Sequence, residues 1–486
     1  MAALFSIFFY PFFFLFSSPT LSTRNPPLYN GPCNLLETPQ EVVLFVLAIE
    51  DCQLLDASCA AWYRRNQQMN LSAMLNNRFV SSSAIVVMGG FVVNVFNYVF
   101  TLLMSRILGL DSFGEVAAMI SLLTIISVPS FAFTMLMARE VASRAAGRPS
   151  EIHELFIFFR KHAFVIAIAV WILFLALTPF LTRFLHIPYT PFFVFSLIIL
   201  FLAPGALQVG TLQGLQEFFQ LAKQNILGAL VKLACALFLV AAGFSVVGVM
   251  LALVLAQFAT WLYGFLTIRR KLKGAEAPQA AAEKPGFQSL YVSLLITAFL
   301  LALISNTDLL LAKHFLSATV AGEYAALSTL GNIIVYSIGA FSTVLLPMAS
   351  FARASEKGQE SRLLFMSLSI IALVVFASAV CFSLFPAFFI SVLFGAKYLG
   401  IAPVVGRYAF AEGCIALSIA LINYFVAVRN TSFLWFVALG IALEAFLISY
   451  HHTSVAEIAT MFVVAAVGML ALLFLNLFAF CGTVRE

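Results

Sequence analysis

From about residue 83 to residue 480 the chain alternates between apolar stretches roughly twenty residues long and short polar breaks. That is the length at which an α-helix, rising about 1.5 Å per residue, crosses ~30 Å of hydrocarbon. Backbone groups in hydrocarbon find no water, so they must pair within a helix or a closed barrel. Barrel strands read as segments of about ten residues with alternating polarity, and these runs do not alternate. The pattern predicts twelve helical spans, at 83–105, 114–137, 161–179, 191–209, 222–243, 246–267, 289–311, 321–346, 364–385, 404–427, 432–449 and 456–480.

One polar, Ala/Pro-rich segment interrupts the series, RRKLKGAEAPQAAAEKPGF between Arg269 and Phe287. It divides the spans into a first lobe (75–268, spans one to six), a linker (269–288) and a second lobe (289–486, spans seven to twelve). Loops on the linker's side carry nineteen Lys and Arg, among them Arg64, Arg139, Arg160, Lys223, Lys273 and Arg362. The other side carries five: Arg106, Arg183, Lys313, Lys397 and Arg407. By the positive-inside rule, the linker and both ends of the twelve-span region are cytoplasmic. Residues 1–74 are of another character. Their apolar start lacks the basic region of a secretory signal and Pro11 interrupts it, and EVVLFVLAIE is too short to span. The expectation is an atypical extension, either an extra membrane-associated segment or upstream sequence ahead of an effective start at Met69 or Met74, with the second preferred.

Composition agrees with the pattern. The 486 residues are 63% hydrophobic and 10% charged, with mean hydropathy +1.04; soluble domains are nearer half apolar and a quarter charged. The net charge of +5 would suggest nucleic acid in a soluble protein, but here the loop asymmetry accounts for it and no nucleic-acid partner is implied. The seven cysteines form no C-x-x-C pair, so they read as small hydrophobes rather than metal ligands. No loop on the side away from the linker is long enough for a folded domain; the longest runs from Pro386 to Pro403. Any chemistry therefore belongs inside the membrane.

Two stretches overlay. Leu102 onward reads LLMSRILGLDSFGEVAAMISLL, and Leu309 onward reads LLLAKHFLSATVAGEYAALSTL. Each runs from a Leu-rich helix end through a basic residue (Arg106, Lys313) and a short loop. Gly-Glu-x-Ala-Ala follows (Gly114 to Ala118, Gly322 to Ala326), read as the opening of the next helix. Glycine suits the turn there, and Glu meets the positive end of the helix dipole. With six spans per half, the halves are parallel repeats about a pseudo-two-fold along the membrane normal. Transporters of this plan place substrate between the halves.

Four segments carry a family resemblance: RILGLDSFGEVAAMISLL, GTLQGLQEFFQLAKQNILGALVKL (Gly210 to Leu233), NTDLLLAKHFLSATVAGEYAAL (Asn306 to Leu327) and VLFGAKYLGIA (Val392 to Ala402). Together they resemble the polysaccharide-transporter branch of the multidrug/oligosaccharidyl-lipid/polysaccharide superfamily, over about residues 75–480. The resemblance implies an all-α, MATE-like membrane protein that flips an undecaprenyl-diphosphate-type lipid-linked oligosaccharide across the bacterial or archaeal cell membrane for cell-surface polysaccharide synthesis. Related branches move lipid-linked peptidoglycan precursor or export drugs.

A flippase must shelter a charged, sugar-bearing headgroup, which calls for a few cations and neutral hydrogen-bonding groups in a polar cavity. In the first span Ser83, Gly90, Asn94, Asn97, Thr101 and Ser105 share one helical face; they either line that cavity or pack against another helix. Lys232, midway in the fifth span with no acid in helical reach, is the first choice for a diphosphate ligand. Asp308 near the end of the seventh span, on one face with Thr297 and Leu301, suits proton or cation coupling, H+ or Na+, or sugar binding. Lys313 is read as too near the surface to need a partner, though close enough to screen Asp308. Glu412 shares a face with Tyr408 and Asn423, and it or Glu444 is a candidate partner for Lys232. Gln208, Gln213, Gln257 and Asn332 are weaker candidates, and Arg139 stands at the cytoplasmic entrance. The short pair His451–His452 reads as solvated. The chain contains no H-E-x-x-H, no phosphate-binding G-x-x-x-x-G-K-[ST] and no carboxylate pair near one loop. A transporter is therefore expected rather than an enzyme, with no cofactor or metal. A drug/cation antiporter and a peptidoglycan-precursor flippase are the alternatives, ahead of a membrane polymerase or ligase.

Overall fold

The computed structural model describes residues 78–145, 149–272, 289–335, 360–428 and 430–483. The extension 1–74 and most of the linker lie outside them. The described residues are helical throughout, with no strand among them. In chain order the helices are α1 (Arg78–Leu108), α2 (Leu110–Ile126), α3 (Val128–Ala145), α4 (Pro149–Leu185), α5 (Tyr189–Ser196), α6 (Ile199–Gly214), α7 (Phe218–Ala241), α8 (Ser245–Lys271), α9 (Ser289–Ile304) and α10 (Thr307–Phe315). Residues 318–335 form α11. Then come α12 (Glu360–Leu384), α13 (Pro386–Leu393), a 3-10 turn (Ala396–Ile401), α14 (Ala402–Ala427), α15 (Phe433–Tyr450) and α16 (Val455–Thr483).

Among the described residues nine helices are long and apolar enough to cross a membrane, and eleven if two bent pairs each count as one span. The remaining expected span is helical through residue 335, and its second part lies outside the described residues. The expected breaks differ in two places. The second span bends by 41° between α2 and α3, where Pro129 has no N–H to continue the ladder and the Ser127 hydroxyl donates back to Thr124 O at 2.8 Å. The seventh span bends by 44° between α9 and α10. There the Asn306 amide donates to Ala302 O at 2.7 Å, a side chain competing with the backbone for helix carbonyls.

A third difference concerns the repeated hairpin. Gly114 and Gly322 were expected to open their helices, but α2 begins four residues before Gly114 and α11 four before Gly322. In the first hairpin Gly109 takes the left-handed turn, at φ 83°. The two later glycines serve a close approach instead: a Cβ on Gly114 would stand 2.9 Å from Gly322 N, and one on Gly322 would run into the Leu110 carbonyl.

In the first half α3 packs on α6, α6 on α4, and α7 on α8; in the second, α14 and α15 pack on α16, and α12 on α14. α14 is buried along most of its length and is the centre of the second half's core, with Tyr408, Ile415, Ala420 and Phe425 inside. α9 and α10 bridge the halves, α9 against α2 and α3, α10 against α2 and α4. The expected long loop at 386–403 is not a loop: α13 and the 3-10 turn fill it, with Ile390, Phe394 and Tyr398 buried.

Candidate functional site

Most of the candidate residues fall in two buried polar clusters among the described residues. The first lies between α1 and α7, which meet at Gly89 against Ala222 and again at Asn97 against Lys232. Lys232, halfway along α7, donates its ammonium to Asn97 Oδ1, and its Nζ stands 4.5 Å from the centre of the Phe100 ring. A cation over a ring face is modestly stabilised, but neither neighbour is charged, and no carboxylate pairs with Lys232 among the described residues. Around it lie other polar residues of α1. Asn97 is 2% exposed, Thr101 Oγ1 donates to Asn97 O at 3.1 Å, and buried Ser105 donates to Leu102 O at 2.8 Å. Ser83's side chain lies outside the described set.

Three buried polar atoms on one turn of α1 have no hydrogen-bond partner among the described residues: Asn94 Oδ1, Asn97 Nδ2 and Tyr98 OH. Each such group costs about 1–3 kcal/mol unless something else meets it. The cluster thus offers one ammonium, one amide donor, one amide acceptor and one phenol, and no negative charge. An anion bearing hydroxyl groups matches that set.

The second cluster is acidic and joins α10, α11, α14 and α15. Asp308 is 2% exposed, and its Oδ2 accepts from Tyr408 OH at 2.6 Å and Tyr324 OH at 3.0 Å. The two phenol rings meet edge to face, 5.7 Å apart. Glu412 and Glu444, 6% and 3% exposed, lie within electrostatic reach of Asp308. Gly331 makes room for the cluster: a Cβ there would come 2.5 Å from the Tyr408 ring and 2.6 Å from Glu412 Cγ. Among the described residues, no group of three His, Cys, Asp or Glu is arranged to hold a metal ion.

The structure brings Asn94, Asn97, Thr101 and Lys232 together in one cluster, and Asp308 and Glu412 in the other. Asn423 is buried, 4% exposed, but sits eleven residues beyond Glu412 on α14, about 16 Å along the axis, and joins neither. Arg139 is exposed near the linker end of α3. Four expectations need correction. Glu412 and Glu444 surround Asp308 and are not partners of Lys232. Asp308 does not continue the face of Thr297 and Leu301, because the bend at Asn306 starts a new helix with Asp308 in its first turn. Lys313 is not a surface residue: it is 2% exposed, within reach of the Glu115 and Asp111 carboxylates of the first half. His452 is not simply solvated either, since its ring stacks on Phe315 at 4.1 Å.

Sequence reasoning missed Tyr98, Phe100 and Tyr324. Tyr98 stands one turn after Asn94, on the polar face already recognised. Tyr324 is the variable position of Gly-Glu-x-Ala-Ala, where the first copy has Val116; a phenol replacing an apolar residue in a repeat was the available signal.

The family described as "Polysaccharide biosynthesis protein" matches residues 79–351. Among solved structures, the chain is similar to an inward-facing multidrug resistance MATE family transporter of the MOP superfamily, with TM-score 0.67 and 11% identity, over 81% of this chain and 94% of that one. It is similar also to the lipid II flippase MurJ in an inward closed conformation, with TM-score 0.62 and 12% identity, over 81% and 87%. A third is a MOP superfamily transporter from Pyrococcus furiosus, with TM-score 0.53 and 13% identity, over 83% and 94%. No curated protein matches the chain by sequence.

Proposed function

Because the chain belongs to the polysaccharide biosynthesis protein family, we propose that it is a flippase that carries a lipid-linked oligosaccharide, of the undecaprenyl-diphosphate type, across the cell membrane. The observation that carries the reading is Lys232: an ammonium deep in a membrane helix, held by an amide and a ring face and by no carboxylate among the described residues. An intramembrane charge is costly and marks a pathway by default. A diphosphate supplies the missing anion, and Asn94, Asn97 and Tyr98 suit the hydroxyl and amide groups of an adjoining sugar. The lipid II flippase among the structural neighbours supports a lipid-linked cargo. The excess of basic residues in loops on the linker's side supports a cytoplasmic linker, with Arg139 where an arriving headgroup would first meet the protein. The protein acts as a transporter and not as an enzyme.

The Asp308 cluster serves coupling in this reading. Buried carboxylates within electrostatic reach of one another repel unless their charge is neutralised. This supports H+ as the driving ion ahead of Na+, since no three of them are arranged to hold a metal ion among the described residues. The same cluster favours a second reading, a drug/cation antiporter like the MATE transporters the fold resembles. Purified protein in liposomes separates the two when offered a lipid-diphosphate oligosaccharide and a cationic dye in parallel. Movement of the glycolipid, lost on Lys232→Ala, supports the flippase; movement of the dye alone overturns it.

A further inference from the structure

The lipid-facing side of the first half carries a strip of rings that the transport reading does not use. α6, buried along most of its length, packs against both α4 and α8, and five rings from these three helices touch one another. Phe258, Trp261 and Phe265 follow at spacings of three and four on α8, which puts them on one helical face. Their centroids are 5.9 Å and 5.8 Å apart. Phe201 of α6 meets Phe258 at 5.8 Å and Trp261 at 5.9 Å, and Phe164 of α4 meets Trp261 edge to face at 6.0 Å. Phe258 is 41% exposed, with Leu262 and Leu266 of α8 exposed beside it. None of the five rings is fully buried, so the strip faces the bilayer rather than the protein core.

The strip ends in a cation. Arg160 of α4 places its guanidinium carbon 5.8 Å from the centre of the Phe265 ring, one turn before the basic end of α8 at Arg269, Arg270 and Lys271. An arginine at a span's end ordinarily carries its charge out to water along its stem; this one reaches across to the neighbouring helix. No carboxylate pairs with it among the described residues: Glu140 and Glu151 are held by Arg144, and Glu217 by Lys271 at 2.5 Å. Glu154 is six residues from Arg160 along α4, about 9 Å toward the start of the helix. Arg269 and Arg270 are exposed and leave the local balance positive. From Phe265 to Phe258 the aromatic face runs about 10 Å into the membrane. Fixed positive charge at the span end, continued inward by rings, matches an anionic headgroup followed by the first part of an acyl chain. Basic sites between membrane helices, on the side read here as cytoplasmic, suit such headgroups.

We propose that this strip is a binding site for one anionic phospholipid, its phosphate on Arg160 and an acyl chain along Phe265, Trp261 and Phe258. The site is built on α4, α6 and α8, apart from Lys232 and from Asp308, so it is independent of the cargo and needs only that the chain spans a membrane. A guanidinium meets two phosphate oxygens at once, and here the Phe265 ring already steadies it from the other side. The rings hold one another in place, so ordering an acyl chain against them costs the chain's freedom and little of the protein's own.

The test uses brominated lipid, which quenches tryptophan fluorescence on contact. The full chain is placed in phosphatidylcholine vesicles, with phosphatidylglycerol or phosphatidylcholine brominated on its acyl chains as a minor component. Brominated phosphatidylglycerol should reach half of its quenching at a mole fraction about fivefold lower than brominated phosphatidylcholine, the effect of one basic contact at the membrane surface. Trp261→Phe should remove that low-fraction component and leave the quenching of exposed Trp435, which follows the bulk lipid. Arg160→Gln should bring the two lipids to the same half-point. Arg160→Lys should keep most of the preference, which an arginine needed only for packing would not do. Equal half-points for the two lipids in the unaltered protein overturn the site, as does a low-fraction component that survives Trp261→Phe. Relief of the quenching by an equimolar lipid-diphosphate oligosaccharide overturns it too, by giving the strip to the cargo's own tail.

Discussion

Replacing Lys232 by methionine should move stability and transport in different directions. In the folded protein the ammonium has one neutral acceptor, Asn97 Oδ1, and one ring face, Phe100 at 4.5 Å. The ring contact contributes about 0.5–2 kcal/mol, and an unpaired charge out of water costs at least as much. Methionine keeps the unbranched stem and removes the charge, so the melting temperature should stay level or rise. The bound state is different. Unit charges 4 Å apart at an effective dielectric near 20 attract by about 4 kcal/mol before desolvation, and charge-assisted hydrogen bonds net about 1.5–3 kcal/mol. A loss of about 2 kcal/mol corresponds to roughly a thirtyfold weaker apparent affinity for a diphosphate headgroup. Lys232→Arg should recover part of it, since charge is retained but geometry is not. The assay is initial-rate flipping of a lipid-diphosphate oligosaccharide against concentration, in parallel with thermal unfolding in detergent. Undiminished affinity in Lys232→Met would refute the anion role, and a fall in melting temperature of several degrees would show that the residue is structural.

Asp308→Asn should leave headgroup binding within about twofold while abolishing acceleration by an imposed proton or sodium gradient, read as flipping rates with and without the gradient. Tyr408→Phe removes the 2.6 Å bond to Asp308 and should reduce the same acceleration partially; a wild-type response would detach the phenol from coupling. Gly331→Ala forces a Cβ between Tyr408 and Glu412 and should cost about 1–3 kcal/mol, seen as a lower melting temperature. Trp171→Phe loses the Nε1 bond to Ser196 Oγ at 3.0 Å and should destabilise by about 1 kcal/mol with transport kinetics unchanged.

The spans could be read from the sequence because hydrocarbon imposes one length and one backbone conformation on all of them. The bends could not be read as easily. Pro129 was visible, but a proline inside an apolar run is compatible with a straight count of residues, and Asn306 acts through a side-chain bond with no fixed signature. The Lys232 cluster was half legible because its neutral members lie on a single helix, where a period of 3.6 aligns them. The acidic cluster was not, since Asp308, Tyr324, Glu412 and Glu444 come from four helices and only tertiary packing joins them. Lys313 was misjudged for a related reason. A lysine at a span's end ordinarily reaches water, and here the other half of the chain covers it. The repeat itself was legible as a pattern of glycine and charge, while the use of its glycines, touching each other, depends on where the two copies meet.

The bent seventh span has a mechanical consequence. α10 is nine residues long, joined to α9 by a 44° bend. At its start Asp308 anchors the two tyrosines; near its end Lys313 and His314 reach across to the first half. In the proposed transport cycle, a helix this short would carry a displacement at Asp308 to Lys313 and His314 as a rigid body. In the proposed coupling, the acidic cluster and the first half are thereby linked by one helix of under three turns, pivoting at the bend beside Asn306.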